Sequence, residues 1–351
     1  MPLNLAEWYW NSVITNDNDA AAPKACESIR FAKEDMRKIV TTDIHVTEGR
    51  NTLPSPKPPK RKTRIGVRPP VWFLAPAVIA YTIVVVVPNL RGFAYSFTDW
   101  NGISSSYNIV GFENFNHLLD DPGTASALKN TLLFTIGVAI LQNIVGLGLA
   151  LVCNSLLKSR QYLRLVFFLP VVLTPIVTAY LWTYLLNPTG TINELLVSLG
   201  LESWQQDWLG NPKISLISIV IAAVWQGVGY TMVIYLAGLQ NVSQDVLEAA
   251  AIDGAGPARR FFKVIFPLIN ASVVINILLT LTSGLKQFDL VFAMTNGGPA
   301  GATQTLSFII FKNAFVNLDY PTAVAQGVVL TLIVAIVAVV QLRLTSRKEP
   351  V

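Results

Sequence analysis

Asn130–Leu157 reads NTLLFTIGVAILQNIVGLGLALVCNSLL, a run without a single Asp, Glu, Lys or Arg. A helix needs about 20 apolar residues to cross a hydrocarbon core roughly 30 Å thick, and this run exceeds that length. Five further charge-free stretches share the property: Pro69–Leu90, Leu165–Asn193, Ile214–Gln244, Val264–Leu285 and Tyr320–Leu342. A buried helix of a soluble core is the competing reading, but such helices typically run about 8–20 residues. Six long stretches in one chain point to an all-α integral membrane protein, a bundle of six transmembrane helices over 69–345.

Composition agrees. Hydrophobic residues make up 52% of the chain and charged residues 13%, with a mean hydropathy of +0.49. A soluble chain carries about 25% charged residues. The net charge of +5 raises the possibility of a nucleic-acid partner, but the basic residues cluster beside the hydrophobic stretches, which speaks for a lipid surface instead. Cys26 and Cys153 are the only cysteines and form no CxxC, so neither a zinc site nor a disulfide framework is expected.

The distribution of Lys and Arg predicts the orientation. Arg50, Lys57, Lys60, Arg61, Lys62, Arg64 and Arg68 precede the first stretch. Lys158, Arg160 and Arg164 follow the second, Arg259, Arg260 and Lys263 precede the fifth, and Arg343, Arg347 and Lys348 follow the sixth. The alternate segments are poorer, with Arg91, Lys213, Lys286 and Lys312 among them. Both termini are therefore expected in the cytoplasm. Residues 1–68 read as a disordered cytoplasmic tail. Pro54, Pro56, Pro58 and Pro59 favour an extended linker there, and a basic run follows. Residues 346–351 read as a short C-terminal tail. Pro76, Pro88, Pro170, Pro175 and Pro267 interrupt the stretches, which a membrane bundle tolerates. Gly137, Gly146 and Gly148 are expected to admit close helix contact.

Catalytic patterns are missing. No Gly is followed by Lys, so there is no phosphate-cradling GxxxxGK[ST] loop; GxSxG and HExxH are absent too, and the two histidines are His45 and His117. The chain is read as no enzyme by itself, with no cofactor of its own. Nor do the six stretches hold a carboxylate, the usual intramembrane proton relay. That weakens a self-sufficient secondary transporter or channel, although sodium coupling through carbonyls stays open; a structural scaffold without cargo is a third reading.

The longest cytoplasmic segment between stretches, 241–267, reads NVSQDVLEAAAIDGAGPARRFFKVIFP. Ser243 suits an N-cap and Asp245 the positive end of a helix. The run Val246–Ile252 favours helix, Gly254 and Gly256 stop it, and Pro257 opens the next. A helix–turn–helix of small profile follows. Glu248-Ala249-Ala250, three residues, Gly254, and then Pro267 thirteen residues on resemble the EAA motif of binding-protein-dependent ABC importers. Together with Phe261, Phe262 and Lys263 the string is similar to the sugar-permease branch of maltose and glycerol-phosphate type. Phe288-Asp289, Met294-Thr295-Asn296-Gly297-Gly298-Pro299 and Thr303 resemble the first of that branch's two permeases. Val264 and Phe266 depart slightly from the common pattern. The resemblance spans about residues 70–345 and leaves out the N-terminal tail.

That resemblance implies a partner set: a second, homologous permease, a dimer of ATPase subunits holding ATP and Mg, and an extracytoplasmic sugar-binding protein. It implies that Glu248, Ala249, Ala250, Asp253, Gly254, Gly256 and Pro257 meet the ATPase. A sugar path needs amides, hydroxyls and aromatic faces within an apolar bundle. Trp225, Gln226, Gly227 and Tyr230 offer them in the fourth stretch; Ser283, Gly284, Lys286 and Gln287 do so at the end of the fifth. Gln226, Gly227, Gly284 and Gln287 match sugar-contacting stretches of the maltose-type permeases most closely, and Trp182 and Tyr184 offer a stacking face. Each also has a plain reading. An intramembrane Gln is often a helix–helix hydrogen bond, Trp and Tyr anchor at interfaces, and Lys286 either signals an anionic substrate or snorkels to the interface.

Overall fold

A computed structural model describes residues 71–155 and 159–346. The readings of 1–68 as a tail with a Pro-rich linker, of Lys158, and of 347–351 in the C-terminal tail lie outside the described residues. Among the described residues every regular element is helical; one isolated bridge joins Thr98 to Ile109.

Four helices are long and apolar enough to span a membrane: α1 (Trp72–Tyr95), α3 (Pro122–Asn154), α7 (Ser215–Gln240) and α13 (Tyr320–Ser346). Between α1 and α3 lies α2 (Glu113–Asp120), a short helix carrying His117. The third and fifth expected spans are each broken. The third is α4 (Arg160–Val172) and α5 (Pro175–Leu185), bent by 103°; the fifth is α9 (Pro257–Leu268) and α10 (Asn270–Leu285), bent by 72°. Counting each pair as one span gives the six of the sequence. The remaining helices are α6 (Thr191–Ser198), α8 (Gln244–Ile252), α11 (Asp289–Thr295) and α12 (Leu306–Phe315).

Proline accounts for these departures. Leu173 and Thr174 are extended, and Pro175 takes the first position of α5, where its missing N–H costs nothing. The Thr174 side chain caps that start by accepting from the Val177 amide. In α1 and α9 the residues just before a proline widen instead into a π-helical turn, Thr82–Val86 before Pro88 and Phe261–Ile265 before Pro267. A ring at position i clashes with the carbonyl at i−4, and a π turn gives that carbonyl room.

α3, α7 and α10 form the centre, with α7 packed along α3 and α10 against both. Gly146 is where α3 comes close to α7: a Cβ there would stand 2.6 Å from the Thr231 methyl. Gly137 makes only ordinary contact with Val220, and Gly148 has nothing within 4 Å, so close packing rests on one of the three expected glycines. Two apolar cores result. One gathers Phe134, Val138, Ile219, Leu290 and Leu306; the other gathers Ala150, Cys153, Met232, Leu236 and Ile269. They sit at opposite ends of α3 and α7. α1 buries no residue of its apolar window and leans on α13.

Candidate substrate cavity and loop

Between the two cores the central helices turn polar. Gln142 on α3 donates through Nε2 to the Gly227 carbonyl (3.1 Å) and to Thr231 Oγ1 (2.8 Å). Its neighbour Asn143 donates to Thr280 Oγ1 on α10 (3.1 Å) and accepts from the Tyr235 hydroxyl on α7 (2.7 Å). Asn276 Nδ2 donates to the Thr231 carbonyl at 3.3 Å. Three helices are thus tied by a belt of amides and hydroxyls, held by one another because lipid offers no alternative partner. Asn276 Oδ1, wholly buried, has no hydrogen-bond donor among the described residues.

A cavity of about 450 Å³ opens on the belt. It brings together five of the six expected path residues: Gln226, Gly227 and Tyr230 from α7, Gly284 from α10, and Gln287 just beyond it. Ser283, Gln142, Thr231 and Thr280 complete its polar wall. The break in the third span contributes directly. Gln226 Nε2 donates to the Leu173 carbonyl (3.0 Å), which the extended residues at the bend leave without a helical partner. Gly284 is required by proximity, since a Cβ there would lie 3.0 Å from Thr135 Cα. Lys286 stands exposed and outside the lining. Trp182 packs edge-on to Trp225 at 5.9 Å, and Tyr184 is exposed; neither lines the cavity. Gln142, Asn143, Asn276 and Thr280 were not singled out from sequence, although two adjacent amides in the middle of an apolar span were the available signal.

A larger groove of about 560 Å³ lies between α1, α12 and α13. Apolar side chains dominate it, and Asn89 and Thr331 both donate within their own helices. Of these two, the smaller cavity is the one with a polar wall.

The second candidate region is the segment around α8. Ser243 Oγ accepts from the Asp245 amide at 3.2 Å. At the other end Gly254 adopts φ +73°, which costs a glycine little. Its N–H donates to the Ala251 carbonyl and that of Ala255 to the Ala250 carbonyl, the paired bonds of a Schellman ending. Gly256 caps and Pro257 starts α9. Glu248, Ala249, Asp253, Gly254 and Pro257 are exposed, Ala250 is half-buried, and no atom would meet a Cβ at Gly254 or Gly256 within 4 Å. Glu248 has no ion pair among the described residues.

Residues 126–349 match the family of binding-protein-dependent transport system inner membrane components. The chain belongs to that family. It is therefore an integral inner-membrane permease, and the family is one of transport components rather than catalysts. This permease is 32% identical over 283 residues to the "Probable starch degradation products transport system permease protein AmyD" of Thermoanaerobacterium thermosulfurigenes, covering 80% of this chain and 95% of the relative. It is 34% identical over 281 residues to the sn-glycerol-3-phosphate transport system permease protein UgpA of Yersinia pestis, covering 80% and 94%. Among solved structures, a chain of the bacterial alginate ABC transporter, crystallised with an alginate pentasaccharide-bound periplasmic protein, superposes with a TM-score of 0.69 at 21% identity, over 78% of this permease and 93% of that chain. At that identity the likeness speaks for the fold.

Proposed function

We propose that this permease is the membrane subunit of an ATP-driven carbohydrate importer and forms half of its translocation path. The observation that carries the reading is the cavity: amides, hydroxyls and a tyrosine converge at the centre of an otherwise apolar bundle, the lining a polyol needs. The relatives' names, one for starch degradation products and one for glycerol phosphate, support a carbohydrate cargo. The other half of the path belongs to a second, homologous permease. An extracytoplasmic binding protein delivers the sugar. A dimer of ATPase subunits, holding ATP and Mg, docks on Glu248, Ala249, Ala250, Asp253, Gly254, Gly256 and Pro257. Gln226, Gly227, Tyr230, Gly284 and Gln287 meet the sugar, while Lys286 acts outside the cavity.

In this arrangement α8 is a short knob on the cytoplasmic side, stiffened by its cap and its Schellman turn. α9 runs from it to the bend at Ile269, and α10 carries Ser283 and Gly284 to the cavity wall. A push on α8 therefore reaches the wall through one continuous stretch of chain. Both termini lie in the cytoplasm. The test is uptake into proteoliposomes by the four-component complex, which requires both ATP and sugar-loaded binding protein. A cysteine placed near Asp207 is labelled from outside by an impermeant reagent, and one near Arg259 only after the membrane is opened. Uptake without ATP would return the chain to the secondary-transporter reading, and labelling of both cysteines from one side would refute the topology.

A further inference from the structure

The hydrogen-bond directions in the cavity wall say which chemical class of sugar passes. Only the NH₂ end of an amide can bond a carbonyl, so the contact of Gln226 with the Leu173 carbonyl and that of Gln142 with the Gly227 carbonyl fix both side chains. Each leaves its amide oxygen, which can only accept. Ser283 Oγ spends its proton on the Thr280 carbonyl, and Thr280 Oγ1 spends its own on the Asn276 carbonyl. These four groups thus turn acceptors to the cavity, while the Tyr230 hydroxyl, the Gln287 amide and the second N–H of Gln226 are the donors on the same lining. A neutral sugar brings one O–H donor with every hydroxyl and complements such a wall. A phosphate or carboxylate brings acceptors alone, and at those four groups oxygen would face oxygen.

The charges point the same way. Among the described residues the lining holds no Asp, Glu, Lys or Arg. Lys286 is exposed and outside it, and Lys129 and Lys213 line a separate cavity of about 410 Å³. An anion desolvated here meets no cation among the described residues, and an unpaired charge in such a medium is costly. We infer that the cargo is an uncharged sugar, and that phosphorylated or acidic sugars are rejected at Gln142, Gln226 and Ser283. Overall identity does not decide this, since relatives named for starch products and for glycerol phosphate stand at 32% and 34%.

The inference rests on the importer reading, and one experiment separates the two. The complete complex, with its partner permease, ATPase and binding protein, is reconstituted in proteoliposomes. It is offered neutral mono- to trisaccharides of glucose, galactose, mannose and xylose, and in parallel sn-glycerol 3-phosphate, glucose 6-phosphate and alginate oligosaccharides. At least one neutral sugar is expected to drive uptake and ATP hydrolysis roughly tenfold or more above every anionic one, the scale of a mismatched buried hydrogen bond. An anionic sugar imported as well as or better than the neutral ones overturns the inference and leaves the importer standing. If neither set is imported, the carbohydrate reading fails and this inference with it.

Discussion

The belt at the centre of the bundle and the α8 loop at its edge handle exposed polarity in opposite ways. In the belt Gln142, Asn143, Thr231, Tyr235 and Thr280 find partners on neighbouring helices of the same chain. The loop instead ends its helix with bonds that stay within the loop itself, Gly254 to Ala251 and Ala255 to Ala250. Among the described residues it leaves Glu248 without an ion pair, and Ile252 is 86% exposed. A polar group inside lipid must be satisfied by the chain, whereas an exposed knob with a fixed shape and free side chains is built to be satisfied by something else. The belt is tied largely within this chain, and on the proposed reading the loop is one side of an interface.

Filling the loop's free face is the harshest way to break that contrast. Gly254→Asp adds a side chain where this chain has nothing within 4 Å and φ is +73°. The local strain is about 1–2 kcal/mol, too small to unfold a membrane bundle, so damage beyond that reports a partner. We expect membrane insertion to stay normal, the ATPase to co-purify poorly, and transport to be abolished. Glu248→Ala is expected to be mild, since an ion pair at an interface rim has modest value. Full co-purification and normal transport by Gly254→Asp would remove this loop from coupling.

The cavity stands between the two regions, because its wall is partly tied to the chain and partly left for cargo. Gln226→Leu and Gln287→Leu are each expected to cut uptake by roughly five- to a hundredfold, the loss of one buried hydrogen bond of about 1–3 kcal/mol. The complex should still assemble and hydrolyse ATP. Normal uptake by both single variants and by the double variant would take these amides off the path.

What the sequence disclosed follows the range of each interaction. The loop was legible to the residue, because an N-cap at Ser243, a turn at Gly254 and a helix start at Pro257 are local signals. Long charge-free stretches made the span count readable. The bends were not, because prolines at 175 and 267 mark a break without fixing its angle; the angle depends on what packs around it. Gln142 and Asn143 stayed silent for the same reason. An amide in an apolar span reads alike whether it points at lipid, at a neighbour or into a cavity, and only Gly227, Thr231, Tyr235 and Thr280, some 85 to 137 residues away, decide it. Lys286, read either as a sign of an anionic substrate or as a snorkelling residue, is left exposed and outside the lining by the end of α10.

If the belt is complete in itself, cutting it should show up as stability rather than as coupling. Asn143→Leu removes the donor to Thr280 and the acceptor of the Tyr235 hydroxyl. Interhelical bonds in membranes average about 0.6 kcal/mol, so the loss should be about 1–2 kcal/mol, including the hydroxyl left unpartnered. Thermal denaturation of the purified complex measures it, with uptake per ATP hydrolysed unchanged. A fall in that ratio at unchanged stability would make the belt part of the coupling machinery.

The smallest expected effect lies at the other end of α3 and tests the same logic by pH. Asp121 caps this helix: its carboxylate accepts from the Gly123 amide (2.9 Å), the Thr124 amide (2.8 Å) and the Thr124 hydroxyl (2.6 Å). The Thr124 hydroxyl above all, helped by the two amides and opposed by partial burial, holds its carboxyl below the usual value of 3.8. A carboxylate with a lowered folded-state pKa contributes stability that is complete above its unfolded value, near 4, and fades as the pH falls through the folded one. Asp121→Ala should cost about 1 kcal/mol at pH 6, the typical value of a cap. Because the carboxylate is mostly solvated, the pH-dependent share is only part of that. The denaturation temperatures of wild type and variant should therefore draw together as the pH falls below about 4. A gap as wide at pH 3 as at pH 6 would mean that the ionised cap is not what holds the start of α3, and that the helix is fixed there, like the belt, by its neighbours alone.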